Sequence, residues 1–371
     1  MSENEDMNIE FDKTPLYEEH RALGATMAAF AGFEMPMQYQ GIVEEHLATR
    51  EACGIFDVSH MATFRVRGAD SWQFLQHMLS NDLERIEEVG AAQYTLLLDN
   101  KGHIIDDLIV YNTGGEFTLI LNASNAKTDF DWLVKNSKKM KSDVEIFDES
   151  ERTAIIAVQG PEALEVVQDF AEDEDWEAPK RFHLVPLKMI GGVNVLVART
   201  GYTGEDGVEL IMHKEDAAAV WRALLSFENV TPVGLGARDT LRLEMGYHLY
   251  GNDMDRSRNP IEAGLGWVCP KSKEDYMGCK AVTEAREKGC KEKLAYLKVT
   301  GGIPRKGYPV LDGDKQIGVV ASGSHSPSLG IGIATAYLPK EFAEVNTELQ
   351  IGIRKRKADA VVVKPPFFKK D

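Results

Sequence analysis

Residues 103–111 read HIIDDLIVY, an apolar run with two adjacent carboxylates at its centre, Asp106 and Asp107. In an extended strand successive side chains point to opposite faces. Asp107 then shares a face with His103, Ile105, Ile109 and Tyr111, while Asp106 shares the other with Ile104, Leu108 and Val110. Both faces are mostly apolar, the pattern of a strand covered on both sides, so at least one carboxylate lies where charge is costly. A carboxyl group there must be paired, hydrogen-bonded or protonated, and its pKa rises. Such a group suits proton transfer or the anchoring of a ligand. The plainer alternative is a strand-end aspartate that reaches solvent or caps a neighbour.

Two further segments carry polar groups in chemically useful patterns. RTGYTGEDGVEL (199–210) has glycines at 201, 204 and 207, a spacing unlike the G-x-G-x-x-G of dinucleotide sites. It lies between strands rather than opening a helix, so a hairpin is expected and not a phosphate loop. Glu209 alternates with Val208 and Leu210, opposite their apolar face, where a carboxylate can grip a planar N–H edge with two hydrogen bonds. PVGLGARDTLRLEMGYHLYGNDMD (232–255) places Arg238 and Arg242 on one helical face. An arginine fork there suits a carboxylate, either of a ligand or of Asp239 or Glu244 in the protein itself. Trp267 and the rings of Tyr94, Tyr202 and Tyr247 can stack on a flat ligand or simply pack. The four cysteines, Cys53, Cys269, Cys279 and Cys290, form neither C-x-x-C nor a disulfide framework, and the nine histidines form no close pair. No metal is expected.

The elements that must position these groups form several compact units. A chain of 371 residues with 43% hydrophobic and 27% charged residues is an ordinary globular protein of two or three domains. Its net charge of −17 excludes a general nucleic-acid or anionic-membrane binder. No apolar run is long enough to span a membrane, and the acidic start MSENEDMNIEFDK is neither a secretory nor a transit signal, so the cytoplasm is the expected location. The charge is uneven: residues 291–371 hold 14 Lys+Arg against 8 Asp+Glu.

Apolar spacing predicts helices over 16–31 (stripe Leu16, His20, Leu23, Met27), 42–53, 69–79, 126–135, 162–170, 217–225 and 237–247. Strands are predicted over 61–68, 93–98, 103–111, 116–121, 154–158, 193–199 and 208–213, with DNKG and NTGG as hairpin turns. Residues 1–13 look like a disordered acidic tail, and 251–290 irregular with short helices. From Leu294 onward short strands alternate with Gly/Pro/Ser turns, the pattern of a small β-barrel or sandwich.

Taken together, TPLYEEHRALGATMAAFAGFEMPMQY (14–39), GIFDVSHM (54–61), GHIIDDLIVY (102–111), LNASN (121–125), QGPEAL (159–164), RTGYTGEDGVEL, GLGARDTLRLEMGYHLYGNDMD, NPIEAGLGW (259–267) and SGSHSPSLGIGIA (322–334) resemble the aminomethyltransferase (T-protein) family of the glycine cleavage system. The resemblance runs in the family order over nearly the whole chain from residue 14. It implies an α+β fold, a three-domain cloverleaf. On that resemblance residues 1–55 and 141–250 are expected to form a discontinuous α+β folate-binding domain, 56–140 an inserted α+β domain, 251–290 a linker with short helices, and 291–371 a C-terminal β-barrel. It implies transfer of a one-carbon unit from the aminomethyl-dihydrolipoyl arm of H protein to tetrahydrofolate, giving 5,10-methylenetetrahydrofolate and ammonia without a metal.

Asp107 falls on the family's key acid, implied to sit near the reacting folate nitrogens and help proton transfer. Glu209 is implied to hold the pterin edge and Arg238 to bind folate or organise the site. Asn122, Tyr202, Tyr94, Tyr247 and Met61 match other folate-cavity positions. His103 departs from the glycine many members carry there. It is either a new polar group near Asp107 or a surface turn residue. Two rivals share the fold. One is another tetrahydrofolate-dependent demethylase or methyltransferase; the other is a non-enzymatic folate-binding relative, whose K-G-C motif ending in Q-E is missing here.

Overall fold

The computed structural model describes residues 11–173, 175–189 and 191–370; most of the predicted acidic tail lies outside the described residues. The fold is α+β, built on three main sheets with a hairpin. A five-stranded antiparallel sheet runs in the order Ala92–Leu98, Ile104–Asn112, Glu116–Leu121, Ala62–Arg67, Glu145–Asp148. Helices Ser71–Met78 and Ala126–Met140 cover one of its faces, where Phe74, Leu75, Met78 and Leu133 bury against Phe64, Val66, Leu108, Val110 and Leu119. The opposite face carries Ile109, Tyr111, Ile120 and the adjacent Met61.

That opposite face packs on a six-stranded sheet ordered Leu184–Met189, Val193–Ala198, Gly207–His213, Thr153–Gln159, Cys53–Asp57, Val230–Pro232. All its neighbours are antiparallel except the last pair, which is parallel. Phe56, Val58, Ile155, Ala157 and Ile211 meet the first sheet, together with Val233, Ala237 and Leu241 from in and around the helix Leu235–Glu244. The far face buries Trp221, Val220 and Leu224 of the helix Ala217–Leu224. Six strands between Glu292 and Val363 close into a barrel, cored by Leu297, Val299, Leu338 and Ile351.

The helix predicted over 16–31 is real only from Tyr17 to Ala22. Gly24 takes a left-handed φ of 76°, which ends it, and Ala31-Gly32 turn with φ 51° and 90°. Two consecutive left-handed residues are the chemistry of a tight hairpin, and Thr26–Phe30 pairs antiparallel with Phe33–Gln38. Leu23, placed on the predicted apolar stripe, is therefore exposed. The helix predicted to end at Cys53 stops at Glu51, and Cys53–Asp57 is a fully buried strand. The strands Glu145–Asp148, Leu184–Met189 and Val230–Pro232 were not predicted; they are short or lie on a sheet edge, where hydrophobic alternation is weak. Among the described residues no helix is long and apolar enough to cross a membrane.

Candidate functional site

Between the two sheets and the barrel lies a cavity of about 1260 Å³. Asp107, Glu209, Arg238, Asn122, Tyr202, Tyr94, Tyr247 and Met61 all line it. Segments more than a hundred residues apart thus converge on one space.

Asp107 owes its position to an irregularity in its strand. Leu97 pairs with Asp106 but Leu98 pairs with Ile104, leaving Ile105 as an extra residue. Such a bulge resets the alternation. Ile105 therefore packs beneath the covering helices with Leu108 and Val110, not on the Asp107 face as simple alternation requires. Asp107 remains with Ile109 on the cavity side. His103 sits in the preceding turn, with Nδ1 3.3 Å from Asp99 Oδ2, and is not a cavity residue. It is the surface turn histidine of the two readings.

The Asp107 carboxyl is held at both oxygens. Tyr94 Oη donates to Oδ2 at 2.9 Å and Asn122 Nδ2 donates to Oδ1 at 2.8 Å. Burial, and then the neighbouring Asp106 charge, push its pKa up to about 7. Burial likewise raises the Tyr94 phenol, which stays a donor. Asp106 faces the other side of the sheet and accepts from Asn122 Nδ2 and Asn125 Nδ2, both at 2.8 Å. Asn122 thus bridges the two carboxyl groups.

The two arginines of the fork separate. Arg242 is saturated: it donates to Asp253 Oδ2 at 2.7 Å, to Asp239 Oδ1 at 2.9 Å, to Ser322 Oγ at 2.9 Å and to the Tyr247 carbonyl at 3.0 Å. It ties its helix to the barrel through Ser322. Arg238 lies 4.9 Å over the Tyr202 ring, and its buried Nη1 has no hydrogen-bond partner. Burial lowers its pKa, but a guanidinium keeps its proton. The helix is aimed by Glu45, whose Oε2 accepts from Gly234 N at 2.8 Å while Oε1 accepts from the backbone of Tyr39, Gln40 and Gly41. Gly234 admits no side chain, because a Cβ would lie 2.4 Å from the Met37 carbonyl.

Glu209 is the third residue of the strand Gly207–His213 and accepts from Thr200 Oγ1 at 2.5 Å. Its loop is closed by Arg199, whose Nη2 donates to Asp206 Oδ2 at 2.7 Å. Tyr202 Oη donates to the His248 carbonyl, and its ring stacks on Tyr247 with centroids 5.8 Å apart. Tyr94 stacks similarly on Trp267, which is 63% exposed at the cavity mouth. His60 was not foreseen. It lines the cavity, packs edge-on against Phe30, and is held neutral, its pKa lowered to about 4 chiefly by burial and then by Arg238. Its place beside Met61 in VSHM was the available signal.

The cavity thus offers aromatic and aliphatic walls, the unpartnered N–H of Arg238, the Glu209 carboxyl and, in Asp107, an acid whose pKa burial pushes up to about 7. That set fits a flat, nitrogen-rich ligand and a proton transfer beside it. Among the described residues no group of His, Cys, Asp and Glu is placed to hold a metal ion.

Comparison with known proteins gives a consistent picture. Residues 16–273 match the family model described as the GCVT N-terminal domain, and residues 293–369 the glycine cleavage T-protein C-terminal barrel domain. An aminomethyltransferase of Chloroherpeton thalassium is 45% identical over 364 residues, covering 96% of this chain and 99% of that one. One from Thermotoga petrophila is 43% identical over 363 residues, covering 96% and 98%. The crystal structure of glycine cleavage system aminomethyltransferase T from Bartonella henselae superposes with a TM-score of 0.90 at 34% identity, covering 97% of this chain and 98% of that one.

Proposed function

We propose that this chain, which belongs to the glycine cleavage T-protein family, is an aminomethyltransferase that passes the one-carbon unit of an aminomethyl-dihydrolipoyl H protein to tetrahydrofolate. The observation that carries the assignment is Asp107: a half-buried acid with a pKa near 7, oriented by Tyr94 and Asn122 in a cavity shared with Glu209 and Arg238. The reaction needs such a group. Two C–N bonds form to the carbon as its bonds to sulfur and nitrogen break, so two protons leave the folate nitrogens. One ends on ammonia and one on the lipoyl sulfur.

Asp107 can accept a proton at neutral pH and return it, because its two protonation states are nearly equal in free energy there. Glu209 is suited to the N–H/NH₂ edge of the pterin, with one oxygen already steadied by Thr200. Arg238 has a free N–H for a ligand oxygen. Tyr202, Tyr247, Tyr94 and Met61 supply the walls that exclude water. In this arrangement alignment of the two reacting partners supplies most of the acceleration, and the acid–base group a further share.

H protein is the proposed second partner, entering by the mouth that Trp267 and Arg305 border. Folate-dependent release of ammonia from aminomethylated H protein tests the assignment. Release of methyl-tetrahydrofolate from a small methylated substrate instead would assign the chain to the demethylases.

A further inference from the structure

On the side of the strand turned away from the cavity, Asp106 faces Asp129, which projects from the first turn of the helix Ala126–Met140. Both residues are 0% exposed. Among the described residues no N–H or O–H group donates to either carboxyl oxygen of Asp129. Its hydrogen-bond contact is Asp106 itself. Two carboxylates cannot bond to each other, so one of the pair holds a proton.

The surroundings decide which. Asp106 accepts from three donors, Asn122 N at 3.2 Å and the side-chain amides of Asn122 and Asn125 at 2.8 Å each. Three donors stabilise an anion there, and none stabilises one on Asp129. The other titratable or charged groups facing Asp129 are Asp107 on the strand, and Tyr250 and the exposed Arg256 on the segment that follows the Arg242 helix. Burial and Asp106 hold the Asp129 pKa at about 11, in the same direction as the geometry.

We propose that Asp129 is a positioning residue for the reaction: as a neutral acid it donates its proton to Asp106, which as an anion grips the Asn122 and Asn125 amides and so fixes the Asn122 N–H that orients Asp107. The inference rests on the reading of Asp107 as the group that moves protons. It explains why a second carboxyl sits beneath the first, since the Asp106 anion both clamps Asn122 and, one residue away, keeps Asp107 ready to hold a proton.

The test uses Asp129→Asn and Asp129→Leu in the full chain, read by infrared spectroscopy and by the pH profile of turnover. At about pH 9, above the Asp107 transition, the wild type shows the carbonyl stretch of a protonated carboxylic acid that Asp129→Asn lacks. Asparagine still donates an N–H to Asp106, so this variant keeps most of the turnover and the position of the acid limb. Leucine leaves Asp106 without that donor. Asp106 then takes up the proton itself, and the acid limb moves down by about one pH unit as Asp107 loses its anionic neighbour.

Absence of the protonated-acid band in the wild type overturns the proposal, as does an acid limb that moves in Asp129→Asn. The Asn variant and the spectrum decide the matter if the Leu variant fails to fold. Failure of the Asp107 reading is seen separately, as undiminished turnover in Asp107→Asn.

Discussion

Replacing Asp107 by asparagine is expected to separate stability from activity, because the group proposed to move protons in the reaction costs folding energy at neutral pH. In the unfolded chain an aspartate titrates near 3.8, and in the cavity Asp107 titrates near 7. The folded state therefore binds more protons than the unfolded state across that window, and stability falls as pH rises through it. At 1.36 kcal/mol per unit, the displacement of about three units amounts to roughly 4 kcal/mol above pH 7. Asparagine removes that cost but weakens the hydrogen bonds from Tyr94 and Asn122, a loss of about 1–3 kcal/mol. A net gain of roughly 1–3 kcal/mol remains at about pH 8, or a rise in Tm of a few degrees. Near pH 4 the gain vanishes, because the wild-type carboxyl is protonated there and pays no cost. Turnover moves the opposite way, falling by roughly 10²–10⁴-fold, the usual worth of a positioned acid–base group. Calorimetry at the two pH values and steady-state kinetics with aminomethylated H protein measure both effects. A variant less stable than wild type at both pH values, or equal to it in turnover, refutes the reasoning.

Three further outcomes follow from the same geometry. Arg238→Gln removes the free N–H in the cavity; a charge-assisted bond of about 1.5–3 kcal/mol predicts a rise of roughly 10–150-fold in KM for tetrahydrofolate. Arg242→Met should act on the fold instead, since it strands the buried Asp253 carboxylate; a loss of about 3–5 kcal/mol would appear as a lower Tm with folate affinity in the surviving folded fraction preserved. Charge reversal at Arg305, which lines the cavity, and at the adjacent exposed Lys306, in a region with more basic than acidic residues, should raise KM for H protein in a salt-dependent way. A KM for H protein that ignores both charge and salt removes the barrel from the docking surface.

Much of the candidate site's lining was legible because burial and charge conflict openly in the chain. Asp107 stands out as a carboxylate in a run apolar on both faces, and Glu209 as one opposite an apolar pair in a strand. The two arginines could not be told apart by sequence, since their difference lies in partners supplied from afar: Asp253 and Ser322 for Arg242, the Tyr202 ring for Arg238. Asp129 was invisible for a similar reason, sitting in a helix where an acidic first turn is ordinary, its partner 23 positions away on a strand. The bulge at Ile105 left no local sign either, as HIIDD alternates no differently from a regular strand. The hairpin 26–38 was hidden by TMAAF, whose small and apolar residues suit a helix as well as a strand; only the left-handed Ala31-Gly32 turn and the backbone bond from Asp12 to Gly32 decide it.

The central claim is that this cavity joins an aminomethyl donor to tetrahydrofolate. It is tested most directly by incubating the purified chain with aminomethylated lipoyl H protein and measuring ammonia with and without tetrahydrofolate. The account predicts ammonia release that depends on folate, matched mole for mole by 5,10-methylenetetrahydrofolate, with both lowered together by roughly 10²–10⁴-fold in Asp107→Asn. Release at the same rate without folate, or folate turnover with no methylene product, would contradict it.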